Sequence, residues 1–154
     1  MTTPTRPNTD THSPELTALW ITDDGGVATV TLPADDSARL DALQRMVGGY
    51  LDVVRLDERT DMWVNDEGMD AYGPNTVASR VAGAHGYDLQ PYHGPVVLTG
   101  GVNAHGDTQG LDDDSATLLA SIAFYSAAEG PLRVDEVDGH RFRDLTERRD
   151  RYGA

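Results

Sequence analysis

Residues 35–56, DDSARLDALQRMVGGYLDVVRL, decide the fold, because they predict a helix, a stop and a strand in succession. Apolar residues recur at helical spacing and give the helix one apolar side: Leu40, Leu43, Met46 and Val47. Gly48 stands where a left-handed residue would end that helix, and Gly49 lets the chain turn at once. The β-branched and aromatic run 50–56 then predicts a strand in the interior of a sheet.

Length and composition predict one folded domain with flexible ends. The 154 residues suffice for a substantial core, but hydrophobic residues make up only 38% and Gly and Pro together number 24. We expect a disordered tail over 1–15 and an α+β domain over 16–131. Residues 132–154 form a charged, Arg-rich segment, weakly ordered or appended, because six of the twelve Arg lie from Arg133 onward.

The composition also excludes several classes of site. There is no cysteine, so disulfides, thiolate zinc sites and cysteine nucleophiles are ruled out. No apolar run approaches the roughly 20 residues that cross a bilayer, and no secretory signal is visible at the start. We therefore expect a cytoplasmic protein with no membrane contact.

The net charge of −14 disfavours direct binding to a phosphate backbone. Two interpretations of the acidity remain: a decoy that competes with nucleic acid for a basic partner, or solubility and source composition. The acids are scattered in short groups rather than in one long run, which favours the second interpretation.

The remaining elements follow from turn and cap signals. A hairpin over 17–22 and Val27–Leu32 closes at the turn 23–26. Short strands at 62–65 and Val96–Thr99 alternate with a helix over about 73–85 and another after Asp112. The order ββαββαβα predicts a single α+β domain with a four- or five-stranded mixed sheet and two or three helices.

Five segments together carry a family resemblance: LTALWI at 16–21, LQRMVGGY at 43–50, VNDEG at 64–68, GPNTVA at 73–78 and GPVVLTG at 94–100. In this order they resemble an uncharacterised domain-of-unknown-function family of small proteins carried by phages, plasmids and actinobacterial genomes. The resemblance covers 16–111 and leaves out the Asp-rich helix and both ends. It implies an accessory protein of a mobile element, and members of such families often act against host defences. It assigns no catalytic residues.

One group of residues is a candidate ligand site. Asn65 ends a strand, Glu67 lies in the next turn and Asn75 stands at a helix start, where amides and carboxylates can grip a polar ligand. Tyr50 lies near this group as an aromatic neighbour, and Gly100 belongs to a glycine pair whose amides could face an anion. The alternative is structural: Asn75 caps its helix, Asn65 holds its turn, and the glycines serve turns.

The sequence predicts no catalytic residue, metal or cofactor. His93, His105, Asp107 and the acids 112–114 match no metal-ligand spacing. No serine sits in a Gly-x-Ser-x-Gly elbow, and the chain has no lysine for a P-loop.

The leading functional hypothesis is therefore a non-enzymatic binding module that engages a host protein, in line with a mobile-element accessory directed at a defence component. The alternative is a protein that binds or sequesters a small nucleotide ligand. A third hypothesis, an enzyme, would need an acid–base pair in one pocket.

Overall fold

A computed structural model describes residues 15–86 and 91–129. The strands are β1 (Leu16–Ile21), β2 (Val27–Leu32), β3 (Leu51–Asp57), β4 (Thr60–Asn65) and β5 (Val96–Thr99). The helices are α1 (Asp36–Val47), α2 (Gly68–Ala71), α3 (Thr76–Ala84) and α4 (Asp113–Ala128). The tail predicted over 1–15, except its last residue, and the segment 132–154 lie outside the described residues.

The five strands form one open sheet in the order β2-β1-β5-β4-β3, and every pairing is antiparallel. The predicted α+β class and the element order are confirmed, with α2 as an additional short helix. The sheet is antiparallel where the sequence suggested a mixed one. The four-residue β5 is the central strand, and all four of its side chains are buried.

β3 is an edge strand, so the interior position predicted for 50–56 is wrong. The apolar run misled because Val53 and Tyr50 are exposed in the structure. A strand's position in a sheet depends on long-range pairing, which its own apolar content does not report.

The sheet is covered on both faces. On one face, side chains of β1, β4 and β5 pack with the small apolar stripe of α3 and with α4: Leu19, Met62, Leu98, Val77, Val81, Leu119 and Ala123. On the other face α1 packs through Leu43 and Val47 against Ala18, Leu32 and Val97. α3 packs closely on the sheet through small side chains, since Val77, Ala78, Val81 and Ala82 are all buried.

The apolar side of α1 is narrower than predicted, and α4 also buries only a narrow face. Leu40 on α1 is exposed, whereas Ala42 is buried in its place. On α4, Leu119 and Ala123 are buried but Leu118 is 60% exposed. Both helices cover the sheet through a narrow face. α1 packs on one side of the sheet, and α4 packs with α3 on the other.

α1 ends as its sequence predicts. Gly48 has φ 85°, and its N–H and that of Gly49 both donate to the carbonyl of Gln44, at 2.9 and 3.0 Å. A Cβ on Gly48 would also collide with the hydroxyl of Tyr72. Glycine is required here twice over, for the backbone angle and for the space.

Two exposed carboxylates close local turns. Asp24 accepts from the hydroxyl of Thr22 at 2.5 Å and from the amide of Gly26 at 3.3 Å, which lowers its pKa. Asp112 caps α4 by accepting from the amide of Ser115 at 2.7 Å, and hydrogen bonding to Ser115 lowers the pKa of Asp112. Both groups stabilise the fold in their charged form.

We expect Gly48→Ala to destabilise the protein more than Gly86→Ala. Both glycines have positive φ, but a Cβ on Gly86 meets nothing within 4 Å. Gly86→Ala should thus cost only the left-handed strain of about 1–2 kcal/mol. Gly48→Ala adds overpacking of about 1–3 kcal/mol. Urea unfolding measures both costs.

The double variant Gly48→Ala, Tyr72→Phe separates the two contributions for Gly48, since it removes the colliding hydroxyl. It should recover part of the loss seen in Gly48→Ala alone. Equal losses for the two single variants, with no recovery in the double variant, would contradict the contact.

We expect Asp112→Asn to lose stability at about pH 7 but much less at about pH 3. The pKa of Asp112 is lowered in the folded protein from 3.8, so its charge stabilises the fold above that value. This contribution disappears as the pH falls through the lowered pKa. Unfolding in urea at both pH values measures it. Asp113→Asn, which removes a charge from the same turn but leaves the cap bond, is the control; equal behaviour of both variants would contradict the assignment.

Candidate functional site

Three of the candidate residues, Tyr50, Asn65 and Glu67, lie at the corner where α1 ends, β3 begins and β4 ends, whereas Asn75 and Gly100 lie elsewhere in the fold. The first residue of β3 pairs with the last of β4, Leu51 with Asn65. The carbonyl of Tyr50 accepts from the amide of Asp66 at 2.8 Å, so the two turns are joined directly. Backbone hydrogen bonds therefore hold this corner together even without its side chains.

Asn65 locks this corner from the inside. Its side chain is buried, and Nδ2 donates to the carbonyl of Val47 at 3.1 Å while Oδ1 accepts from the amide of Glu67 at 2.6 Å. Gly49 leaves room for it, because a Cβ there would lie 2.9 Å from Nδ2. The structural alternative for Asn65, a side chain that holds its turn, is confirmed.

The side chain of Asn75 likewise joins three other segments of the chain. It is completely buried, and its Oδ1 accepts from the amide of Ala78 at 3.0 Å as the cap of α3. Its Nδ2 lies within 3.3 Å of three carbonyl oxygens, those of Ile21, Thr22 and Gly94. The predicted cap is confirmed, and the side chain also ties the end of β1 to the segment before β5.

A second polar link reinforces Asn75. The hydroxyl of Ser79 donates to the carbonyl of Asn75 at 2.8 Å and accepts from the amide of Tyr92 at 2.8 Å. The amide of Asn75 in turn donates to the carbonyl of Tyr92 at 2.6 Å. The segment before β5 is therefore joined to α3 by a closed ring of hydrogen bonds.

Gly100 lies in a tight crossing of main chains. It is buried, and a Cβ on it would lie 2.5 Å from the carbonyl oxygen of Gly110. A Cβ on its neighbour Gly101 would collide with the carbonyl oxygen of Glu58. These glycines are needed for close approach of backbone to backbone; anion binding by Gly100 stays a prediction.

Tyr50 and Glu67 are the two predicted site residues whose side chains reach solvent. Tyr50 is 73% exposed. Beside it lies a groove of about 340 Å³ lined by Asp41, Gln44, Arg45, Gly49 and Tyr50, which we call the Tyr50 surface. Sequence reasoning missed Asp41, Gln44 and Arg45, although their spacing of three and four residues on one helix was a usable signal.

The Tyr50 surface offers an aromatic ring, a guanidinium, a carboxylate and an amide on a fixed backbone. Such a set suits recognition of a partner by stacking and charge-assisted hydrogen bonds. In the described part of the chain no three His, Asp or Glu side chains are grouped so as to hold a metal ion. Within the same residues, no helix is long and apolar enough to span a bilayer.

The two histidines that the sequence analysis considered as metal ligands lie in different parts of the structure. His93 Nδ1 lies 3.0 Å from the carbonyl oxygen of Tyr72. The His105 amide donates to Asn103 Oδ1 at 2.8 Å in an exposed turn. The two residues therefore belong to different local structures, one at the strand-end corner and one in the loop after β5.

We expect Asn75→Ala to lower the free energy of unfolding by about 3 kcal/mol, from a lost cap and carbonyl groups left unsatisfied. Asn75→Asp keeps the cap oxygen but directs a carboxylate at three carbonyls, so it should cost more at neutral pH and recover partly in acid. Asn103→Ala, which removes an asparagine from an exposed turn, is the control. Thermal and urea unfolding measure all three; equal losses at 75 and 103 would contradict the role of Asn75.

Comparison with protein families gives a match over residues 16–123, to the family described as a domain of unknown function (DUF3846). The match covers more than two thirds of the chain and continues through most of α4, which the sequence resemblance had left out. No curated protein matches, and no solved structure matches. The chain belongs to the DUF3846 family.

Proposed function

We propose that this protein is a non-enzymatic binding module that engages a partner protein through the Tyr50 surface. The observation that supports this most directly is Tyr50, a residue 73% exposed on a backbone that hydrogen bonds hold in place. Tyr and Arg are enriched among the residues that contribute most to protein–protein affinity, and Arg45 lines the same groove.

The rigidity of the corner favours binding. Gly48 and Gly49 close α1 with two hydrogen bonds, and Asn65 joins the end of α1 to the turn after β4. An aromatic side chain on a fixed backbone loses little conformational entropy when a partner covers it. A solvent-exposed tyrosine at such a place is therefore suited to anchor an interface.

The polar side chains that were candidates for a ligand site form hydrogen bonds within the fold, which supports a non-enzymatic role. The side chains of Asn65 and Asn75 are bonded to main-chain groups. The lowered pKa values of Asp24 and Asp112 are explained by a turn and a helix cap. Perturbed carboxyls with such local causes do not indicate an acid–base pair.

We further propose that the partner is a host protein, a defence component, and that the protein is an accessory of a phage or plasmid working in the cytoplasm. The segments LQRMVGGY and VNDEG suggested such an accessory family. They contain Tyr50 and Glu67, and so lie at the corner where α1 and β4 end.

A nucleotide is the second candidate ligand, favoured by one observation. Arg45 and Tyr50 line the same groove of about 340 Å³, so a phosphate could meet the guanidinium while a base stacks on the ring. In this form the hypothesis relies on the Tyr50 surface, with Glu67 nearby.

The test compares capture of host proteins by the wild-type chain, Tyr50→Ala, Arg45→Glu and Val102→Ala. Val102 is an exposed apolar residue in the loop after β5 and serves as the control. We expect one host protein to bind the wild type and Val102→Ala alike. Its affinity for Tyr50→Ala should fall by at least about 30-fold, since truncation of an anchor residue costs about 2 kcal/mol or more.

A parallel arm measures melting temperature with mono-, di- and cyclic nucleotides. A rise that is lost in Tyr50→Ala would favour the nucleotide candidate, since ligand binding stabilises the folded state by mass action. Capture and melting that do not differ among the four proteins would rule out the Tyr50 surface.

A further inference from the structure

We propose that the protein forms a symmetric dimer in which the edges of two β2 strands pair antiparallel and the two α4 helices pack side by side. This inference is independent of the Tyr50 surface. It starts from the difference between the two edges of the sheet.

The edge at β3 carries the features that prevent strand pairing, and the edge at β2 lacks them. β3, LDVVRLD, has three charged residues and a register shift between Arg55 and Asp57. β2, VATVTL, has no charge, no proline and regular pairing along its length. Edge strands that must remain single are blunted by charges, prolines and bulges. β2 is thus open to another strand in the part of the chain that the structure describes.

The backbone geometry of β2 suits pairing with itself. Thr22 donates to the carbonyl of Gly26 at 2.8 Å, so these residues form a hydrogen-bonded pair at the hairpin end. Such pairs alternate along antiparallel strands, which directs the backbone groups of three residues away from β1: Val27, Thr29 and Thr31. Opposed residues in antiparallel strands share a face, so a twofold axis at Thr29 brings Val27 opposite Thr31 of the second copy.

An uncharged groove runs beside this edge. It has a volume of about 700 Å³, and its lining includes Val27 and Thr29 of β2 and Ala116, Ala120, Phe124 and Tyr125 of α4. Phe124 and Tyr125 are 69% and 68% exposed, and their rings stand edge to face with centroids 5.6 Å apart. Burying them would remove roughly 250 Å² of aromatic surface from water, a substantial part of the ~800 Å² per partner in a stable interface.

The position of α4 fits a second copy. α4 packs on β1 and β2 alike, and neighbouring strands lie about 4.8 Å apart. A helix centred between these strands would come about 10 Å from its mate across a twofold axis at the β2 edge. Helices pack at about 8–10 Å, so the two α4 helices would meet with Phe124 and Tyr125 between them.

Charge also favours a second copy over a basic partner. The chain carries a net charge of −14, which would guide a basic protein to its acidic surfaces. None of the described residues that line this groove is charged. An uncharged strip is where two acidic copies repel each other least, especially with physiological salt screening.

Sedimentation equilibrium of the full chain over about 1–100 μM brackets micromolar association. We expect a mass approaching twice 16.6 kDa. Thr29→Lys, which places a charge at the centre of the β2 edge, should remain monomeric. Val53→Lys on the exposed edge of β3 is the matched control and should dimerise like the wild type. A monomer throughout, or a dimer unaffected by Thr29→Lys, would overturn the proposal.

A cysteine test checks the register, because the native chain has no cysteine. In the proposed pairing the two Thr29 residues face each other with Cα atoms about 5.5 Å apart, within the disulfide range. Thr29→Cys should therefore crosslink to a covalent dimer under mild oxidation. Thr31→Cys, whose mate would lie opposite Val27, should crosslink far less. Equal crosslinking at both positions would contradict the register.

Discussion

The buried side chain of Asn75 is the interaction on which the arrangement of this domain depends. One amide caps α3 and also bonds carbonyls at the end of β1 and before β5, segments that are 53 and 19 residues away along the chain. These bonds fix where α3 lies over the sheet and how the chain enters the central strand. A buried amide of this kind is stabilising only when all its partners are in place, because each unpaired carbonyl would cost desolvation energy. Because all its partners must be in place, the buried amide of Asn75 also favours this one arrangement of the segments over others.

The buried polar side chains of Asn65 and Asn75 serve the fold, so the recognition that we propose lies at the surface. Asn65 fixes the corner beneath Tyr50 without reaching solvent itself, so the rigid parts of the fold lie directly under an exposed aromatic ring. The opposite end of the sheet order carries a different surface, the open edge of β2 with the aromatic residues of α4. The strand order separates the two surfaces, with Tyr50 just before edge strand β3 and Phe124 beside edge strand β2. A dimer through the β2 edge would leave the Tyr50 surface available to a partner.

Local signals in the sequence were sufficient for most elements. The hairpin, the glycine end of α1, the cap of α3, the start of α4 and the strand Val96–Thr99 all follow from turn chemistry, charge and periodicity over a few residues. Strand order did not follow, and β3 was assigned to the interior because its apolar content resembles that of a buried strand. The four-residue α2 is too short to leave a periodic pattern. For the site, the cap role of Asn75 was predictable, but its bonds to Ile21, Thr22 and Gly94 depend on tertiary contacts that no local pattern reports. Arg45 lies five residues before Tyr50, and its place beside the ring depends on how the glycine end of α1 turns the chain.

The claim that follows from these contacts is that Asn75 belongs to a sealed structural core, whereas recognition, as we propose, lies at the Tyr50 surface. Hydrogen exchange of the two Nδ2 hydrogens of Asn75, followed by nuclear magnetic resonance in the native state, tests it most directly. The account predicts that these hydrogens exchange only when the whole domain unfolds, at the same free energy as the amides of β5. Rapid exchange in the folded protein, or a change in exchange when a ligand is added to an otherwise unaltered domain, would contradict it.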